Sequence, residues 1–385
     1  MKIALGMIVK SLDSDAEILR FLDNAEKYGH KLECVITAYA LKLDPRVENN
    51  INKRIPFYPV NINDPRYCLE EFRRRGISET TTKTLLNCPV DTSRGVVPYG
   101  FNRMIVTIEA ILRGADILFF VDSDVVPSVL KKTKDGLAIE DVDFFGAHLE
   151  HIKAGAQVTT GEYSGYNILP PATFEGMEDL LKGLQKADMN RYWQNSGDHR
   201  CLALQPDEIT PKPCTKILGG NTAIKTTSFS TLPPFFSSHY MLDGEMYLCR
   251  GEDTVLGLEI GRSGMICTDI GLNPLHDTYS TYPAEPDLRG DPVVQGRFYY
   301  ACTGWVGRNP FLNYLHDKDL KSVRESQRDS LERGLGALSA YASYPRYKTV
   351  IRNFDESWDN LGRYINEYEQ VLEAWEEFRK RSELR

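Results

Sequence analysis

Asp122 and Asp124 stand one residue apart where the apolar run 117–121 ends. Two like charges at the end of a buried strand repel each other and are costly to desolvate, unless a cation or hydrogen-bond donors face them. Three later stretches also carry residue types suited to chemistry. In "LGGNTAIK", Gly219 and Gly220 permit close approach of a backbone to a ligand, and Asn221 can both donate and accept hydrogen bonds. A bulge or hairpin turn would use the same residues. In "GEDT", Glu252 and Asp253 open a helical pattern in which Asp253 suits either a general base or a plain N-cap. In "NPLHDTY", a lone His276 reads as structural or exposed, with Asp277 beside it able to orient its ring. His148 and His151 flank a strand end and read as ordinary core or surface residues.

The elements that must position these residues alternate between strand and helix over the first 150 positions. Residues 3–9, 32–39 and 55–62 read as strands. A helix from about Asp15 puts Ile18, Leu22 and Ala25 on one face and stops at Gly29. A second, over 64–77, takes Asp64 as its cap and Pro65 as its first residue. Residues 77–100 are polar, rich in Thr and without period, so they read as a loop. Phe101, Ile105, Ile108 and Leu112 form a helical stripe closed by Gly114. The strand that follows has no alternation and is expected to be buried on both faces. This order predicts βαβ units in a doubly wound sheet, whose ligands bind beyond the carboxyl ends of the strands, where Asp122 and Asp124 lie. After residue 151 the pattern loosens. A helix over 173–187, a polar aromatic stretch over 190–200, a strand at 215–225 broken by glycines, a capped helix over 251–264 and a strand at 265–269 are expected. Residues 270–315 are rich in Pro, Gly and aromatics, and 318–385 are helical and charged.

The 385-residue chain has a net charge of −8, which argues against a nucleic-acid binder. An anionic ligand would need a local positive element such as a metal, an Arg or a helix N-terminus. Arg103, near the start of its helix, opposes the dipole unless an anion is close, a small argument for phosphate. No segment is long enough to span a bilayer, and the N-terminus lacks a signal-peptide pattern. The eight cysteines are scattered without a CxxC pair and read as reduced thiols, so the cytoplasm is the expected compartment.

The strand ending in "FFVDSDVVP", led in by "NRMIVTIEAILRGAD", resembles the DxD segment of GT-A-fold glycosyltransferases, a resemblance covering about residues 1–280. It implies an α/β, Rossmann-like GT-A fold with a mixed central sheet flanked by helices, plus a helical C-terminal extension. The implied divisions are a nucleotide-sugar half at 1–150, an acceptor half at 151–315 and the extension at 316–385. The implied activity moves a hexose from a nucleotide diphosphate sugar to a carbohydrate or other hydroxyl acceptor, with Mn²⁺ or Mg²⁺ on the diphosphate. Under this resemblance Asp124 ligates the metal, Asp122 contacts the ribose or the metal's water shell, and His276 completes the shell. Asp253, with Glu252 beside it, would take the acceptor proton in an inverting displacement. Ser11 in the loop Lys10, Ser11, Leu12, Asp13, together with Tyr39, Asn102 and Arg103, would grip base, ribose or diphosphate. Gly220 and Asn221 would meet the sugar. Tyr192, Trp193, Tyr299 and Trp305 offer rings on which sugars stack.

A retaining transferase, in which Glu252 and Asp253 only orient, is the alternative. A faint likeness to fungal-type mannosyltransferases makes GDP-mannose one candidate donor. A nucleotidyltransferase would want a Gly-rich loop after the first strand, which "GMIVKSLDSDAE" lacks. A non-catalytic sugar-binding scaffold would leave Asp122 and Asp124 dispensable. In the extension, Leu361, Ile365, Tyr368, Leu372 and Trp375 form one stripe, expected to pack on the body or on a second copy of the chain.

Overall fold

The computed structural model describes residues 1–194, 201–382 and 384; residues 195–200 of the polar aromatic stretch lie outside the described residues. Its centre is an eight-stranded mixed sheet. Strands β1 (Ile3–Val9), β2 (Cys34–Tyr39), β3 (Phe57–Asn61) and β4 (Ile117–Asp122) are parallel, in the order β4, β1, β2, β3. Strand Asn221–Lys225 pairs antiparallel with β4, and Val158–Thr160, Cys267–Asp269 and Lys212–Pro213 follow it to the other edge.

Every residue from Ile117 to Val121 is buried, as a strand without alternation requires. Phe120 packs edge-on to Phe235 on one face, and Phe119 packs against Phe145 on the other. Burying each such ring contributes roughly 1.5–3 kcal/mol. A smaller sheet lies beyond β4: Val125–Thr133 pairs on one side with Gly136–Asp141 and on the other with Pro274–His276. The run that resumes after Asp124 is thus the first strand of a hairpin.

Several expectations are corrected. Within the expected loop 77–100, Glu79–Leu86 is a helix capped by Ser78, whose hydroxyl accepts from the Thr81 amide. Its Thr-rich sequence has low intrinsic propensity. The C-terminal helix Leu361–Arg381 supplies what propensity does not: Glu377 accepts from the Ser78 and Thr81 hydroxyls. Asp64 does not cap the next helix, which starts at Arg66; its carboxylate accepts from Arg66 Nε instead. His148 and His151 lie on a helix, Phe144–Lys153, and not at a strand end. The largest difference is Pro292–Leu315, a 24-residue helix inside the region assigned no element. It is buried on most sides, so its sequence carries no amphipathic period.

The residues beyond 316 close over the same body. Helix Leu320–Tyr341 crosses Met177–Gly183 so tightly that a Cβ on Gly334 would fall 2.3 Å from the Leu180 amide nitrogen. Trp375 donates its indole N–H to the Leu232 carbonyl, and Phe378 stacks on Phe72. Tyr368 and Trp375 of the C-terminal stripe are therefore buried within the chain. Among the described residues, no helix is long and apolar enough to cross a membrane, and none of the eight cysteines is in a disulfide.

The helix crossing gives a direct test. Gly334→Ala should destabilise the protein by roughly 1–3 kcal/mol, the usual cost of overpacking against backbone. Gly336→Ala, on the same helix with nothing within 4 Å of the added methyl, should be neutral or stabilising. Urea denaturation of both variants checks the contrast.

Candidate functional site

Arg103 organises the site. Helix Tyr99–Leu112 carries it beneath the end of β4, where it is 3% exposed. Its Nη2 donates to Asp122 Oδ1 at 2.6 Å, its Nε to Glu252 Oε1 at 3.1 Å, and its Nη1 to the Gly219 carbonyl at 2.6 Å. The guanidinium also lies over the Phe120 ring. The anions that reconcile Arg103 with a helix N-terminus here are protein carboxylates, and Arg103 also lines the cleft. Burial disfavours the Arg103 charge, but Asp122 and Glu252 hold it on. Burial, followed by the nearby Asp253 charge, raises the Glu252 carboxyl above its ordinary range, against the pull of Arg103.

The paired glycines follow from this packing. A Cβ on Gly219 would sit 2.6 Å from Arg103 Cζ, and one on Gly220 would sit 2.4 Å from Asp122 Oδ2. The groups that approach these glycines are Arg103 and Asp122, where a sugar was expected. Gly219 lines the cleft, but Asn221 does not reach it. It is fully buried, its amide donating to the Glu162 and Leu272 carbonyls and its Oδ1 bonded to His148 Nε2. Asn102, one residue and thus about 100° around the helix from Arg103, is fully buried away from the cleft wall.

Strand register brings His276 to the second aspartate. His276 pairs with Val125, the residue after Asp124, so its Nε2 lies 3.2 Å from Asp124 Oδ2. Thr278 contacts the other ring nitrogen, and the Tyr163 ring lies against the imidazole. Burial opposes charge on both partners. Their mutual attraction outweighs it, lowering the Asp124 carboxyl and raising His276. Asp277 accepts from the backbone amides of Thr281 and Tyr282.

Glu252 and Asp253 begin helix Glu252–Ser263, whose N-cap is Gly251 at φ 98° without a side-chain cap. Asp253 is therefore not the N-cap. Its Oδ1 accepts from the Thr254 amide, and Oδ2 lies 3.4 Å from the Gly219 amide. Both line the cleft, but Glu252 is bonded to Arg103 and Asp253 is not.

That cleft has a volume of about 750 Å³, with Asp122, Asp124, His276 and Asp253 on its wall. Beyond β1 it is Lys10 that lines it; Ser11 and Tyr39 do not. After Lys10 the chain turns to run beside residues 42–44, Leu12 bonding the Lys42 carbonyl, which carries Ser11 away. Tyr192 and Trp305 line the cleft, while Trp193 and Tyr299 lie in the apolar core behind it. Sequence reasoning missed Lys186, Arg250, Arg297 and Arg308, all on the wall. Arg250 had a signal in its position directly before "GEDT". Arg297 and Arg308 had none while their helix went unrecognised.

The donor set fits a divalent cation shared with a ligand. Neighbouring ligands around an ion bound at about 2.1 Å are about 3 Å apart, close to the spacing of Asp124 and His276. Among the described residues, no group of three His, Cys, Asp or Glu could hold a metal. The chain therefore offers two donors, leaving other positions to water and ligand oxygens, as Mg²⁺ and Mn²⁺ tolerate.

No family model matches the chain, and no curated protein matches it. Among solved structures, glucosyl-3-phosphoglycerate synthase from Mycobacterium tuberculosis in complex with phosphoglyceric acid aligns over 80% of this chain and 79% of its own, with 13% identity and a TM-score of 0.39. The same enzyme in complex with Mn²⁺ and UDP-glucose aligns over 79% and 78%, with 12% identity and a TM-score of 0.38. A mycobacterial protein aligns over 79% and 74%, with 12% identity and a TM-score of 0.37. Likeness this loose carries nothing about what this chain binds.

Removing Arg103 tests the site's architecture. Arg103→Met leaves two carboxylates without their cation and should cost roughly 3–5 kcal/mol at neutral pH. A carboxyl raised in the fold binds its proton more tightly than in the unfolded chain. The variant's stability should therefore rise as pH falls from about 7 to about 5. Denaturation curves at the two pH values check the sign.

Proposed function

We propose that this chain is a divalent-metal-dependent glycosyltransferase that moves a sugar from a nucleotide diphosphate donor to a hydroxyl acceptor with inversion at the anomeric carbon. The observation that carries this reading is the pairing of Asp124 Oδ2 with His276 Nε2, 3.2 Å apart, in a large cleft whose wall also holds Asp253. A divalent cation held by Asp124 and His276 would supply Lewis-acid stabilisation of the diphosphate as it leaves.

The chain's own residues account for the rest. Asp122, fixed by Arg103, keeps a partly exposed side chain for a ribose hydroxyl. Arg250 and Arg297 line the cleft without an ion-pair partner among the described residues and would face the diphosphate. Asp253 takes the acceptor proton as the acceptor oxygen bonds to the anomeric carbon. The bond from that carbon to the donor's phosphate oxygen breaks, and its electron pair leaves with the nucleoside diphosphate. Glu252, buried against Arg103, positions the helix and takes no proton.

Thermal denaturation with UDP, GDP or dTDP, each with and without Mn²⁺, tests this reading. At least one nucleotide should raise the melting temperature, and more so with the metal, because a ligand of the folded state stabilises it by mass action. Asp124→Ala should remove the Mn²⁺-dependent part. No rise with any nucleotide would count for a scaffold. Once a donor is identified, Asp253→Asn should lower turnover by roughly 10²–10⁴-fold with nucleotide binding unchanged. Proton NMR of the product should show inversion; retention would remove the base role from Asp253.

A further inference from the structure

We infer that the acceptor carries an anionic group, a carboxylate or a phosphate, bound by Arg308 and Lys186 beside Asp253. That this ligand is the acceptor rests on the transferase reading; that it is an anion rests on the cleft's own charges.

The chain as a whole is acidic, yet unpaired cations gather in its cleft. Arg103 and Lys216 are paired with carboxylates there. Arg308 and Lys186 have no ion pair among the described residues. Arg308 is 9% exposed; its Nη1 donates to the Thr254 hydroxyl at 3.1 Å, and its Nε is buried with no hydrogen-bond partner among the described residues. A buried, partly unsatisfied guanidinium is costly unless a ligand completes it. The fold makes room for it: a Cβ on Gly251 would fall 2.7 Å from Arg308 Nη1. Lys186 has its ammonium 5.0 Å from the centre of the Trp305 ring.

Arg308 reaches Thr254, the residue after Asp253, and stands eleven residues, roughly 16 Å, along its helix from Arg297. Arg297 and Arg250 are the cations whose charges act on Asp124 and His276. Arg308 acts on Lys186, and both sense Asp253 and Asp188, Arg308 also sensing Arg250 and Glu252. Burial, then the Arg308 charge, pushes Lys186 down to about 7, with Asp188 and Asp253 opposing and Lys216 adding to the fall. A second anion at this end would restore the Lys186 charge and complete Arg308.

The test titrates the full chain, saturated with Mn²⁺ and the nucleoside diphosphate that stabilises it most, with five probes by calorimetry. These are glucose, glucuronate, glucose 6-phosphate, acetate and inorganic phosphate. An anionic form should bind about tenfold to a hundredfold more tightly than glucose, the contribution of charge-assisted hydrogen bonds. The carboxylate and phosphate arms show which group is preferred. Lys186→Met and Arg308→Gln should erase the preference and keep the nucleotide-dependent rise in melting temperature. Should Arg308→Gln fail to fold, Lys186→Met decides. Glucuronate affinity in the wild type should also fall as pH rises from about 6 to about 8, because only the protonated ammonium attracts it. Equal or absent binding of all five probes overturns the inference, as does a preference that survives Lys186→Met. A Lys186-dependent anion preference without any nucleotide-dependent rise would keep the anion site and overturn the transferase reading.

Discussion

One buried guanidinium holds the cleft together. Arg103 joins the end of β4, the loop before strand Asn221–Lys225 and the start of helix Glu252–Ser263, segments up to 149 residues from it in sequence. Desolvating that charge is expensive, and only good geometry with two carboxylates and a carbonyl offsets it. The requirement propagates outward. Gly219 and Gly220 must lack side chains because the guanidinium and the Asp122 carboxylate occupy that space.

The two acidic pairs divide their work in the same way. In each, the first carboxylate is tied inward to Arg103 and its outward neighbour is not: Asp122 with Asp124, and Glu252 with Asp253, all four lining the cleft. The inward member fixes the backbone, so the outward member points reproducibly without needing a deep partner of its own. Asp124 gains a further constraint from the register that sets His276 opposite Val125. Reactive groups are thereby placed by strand pairing and a helix start, elements stiffer than loops.

The parts legible in the sequence were those with a strong local signature. Strand β4 and its closing carboxylates, the helix bearing Arg103 and the helix after Gly251 declare themselves by apolar runs, stripes and glycine stops. The meeting of Asp124 with His276 was readable only through the family resemblance. The role of Arg103 could not be read, because a partner 149 residues away leaves no local trace. The glycines drew attention for close approach and Asn221 for its hydrogen bonds, and in the structure protein groups meet both. Helix Pro292–Leu315 was hidden by its burial and its glycines, two of which let Arg250 and Tyr240 pack against the helix axis.

That same helix sets a ruler across the cleft. Arg297, Tyr300, Trp305 and Arg308 all lie on the cleft wall, and all belong to this one rod. At 1.5 Å per residue, its first and last cleft-facing cations stand roughly 16 Å apart along the axis. Loops would let that span breathe with each substrate; a rod packed on most sides does not. Ligands laid end to end along it must divide a fixed length between them, so a longer occupant at one end leaves correspondingly less room at the other.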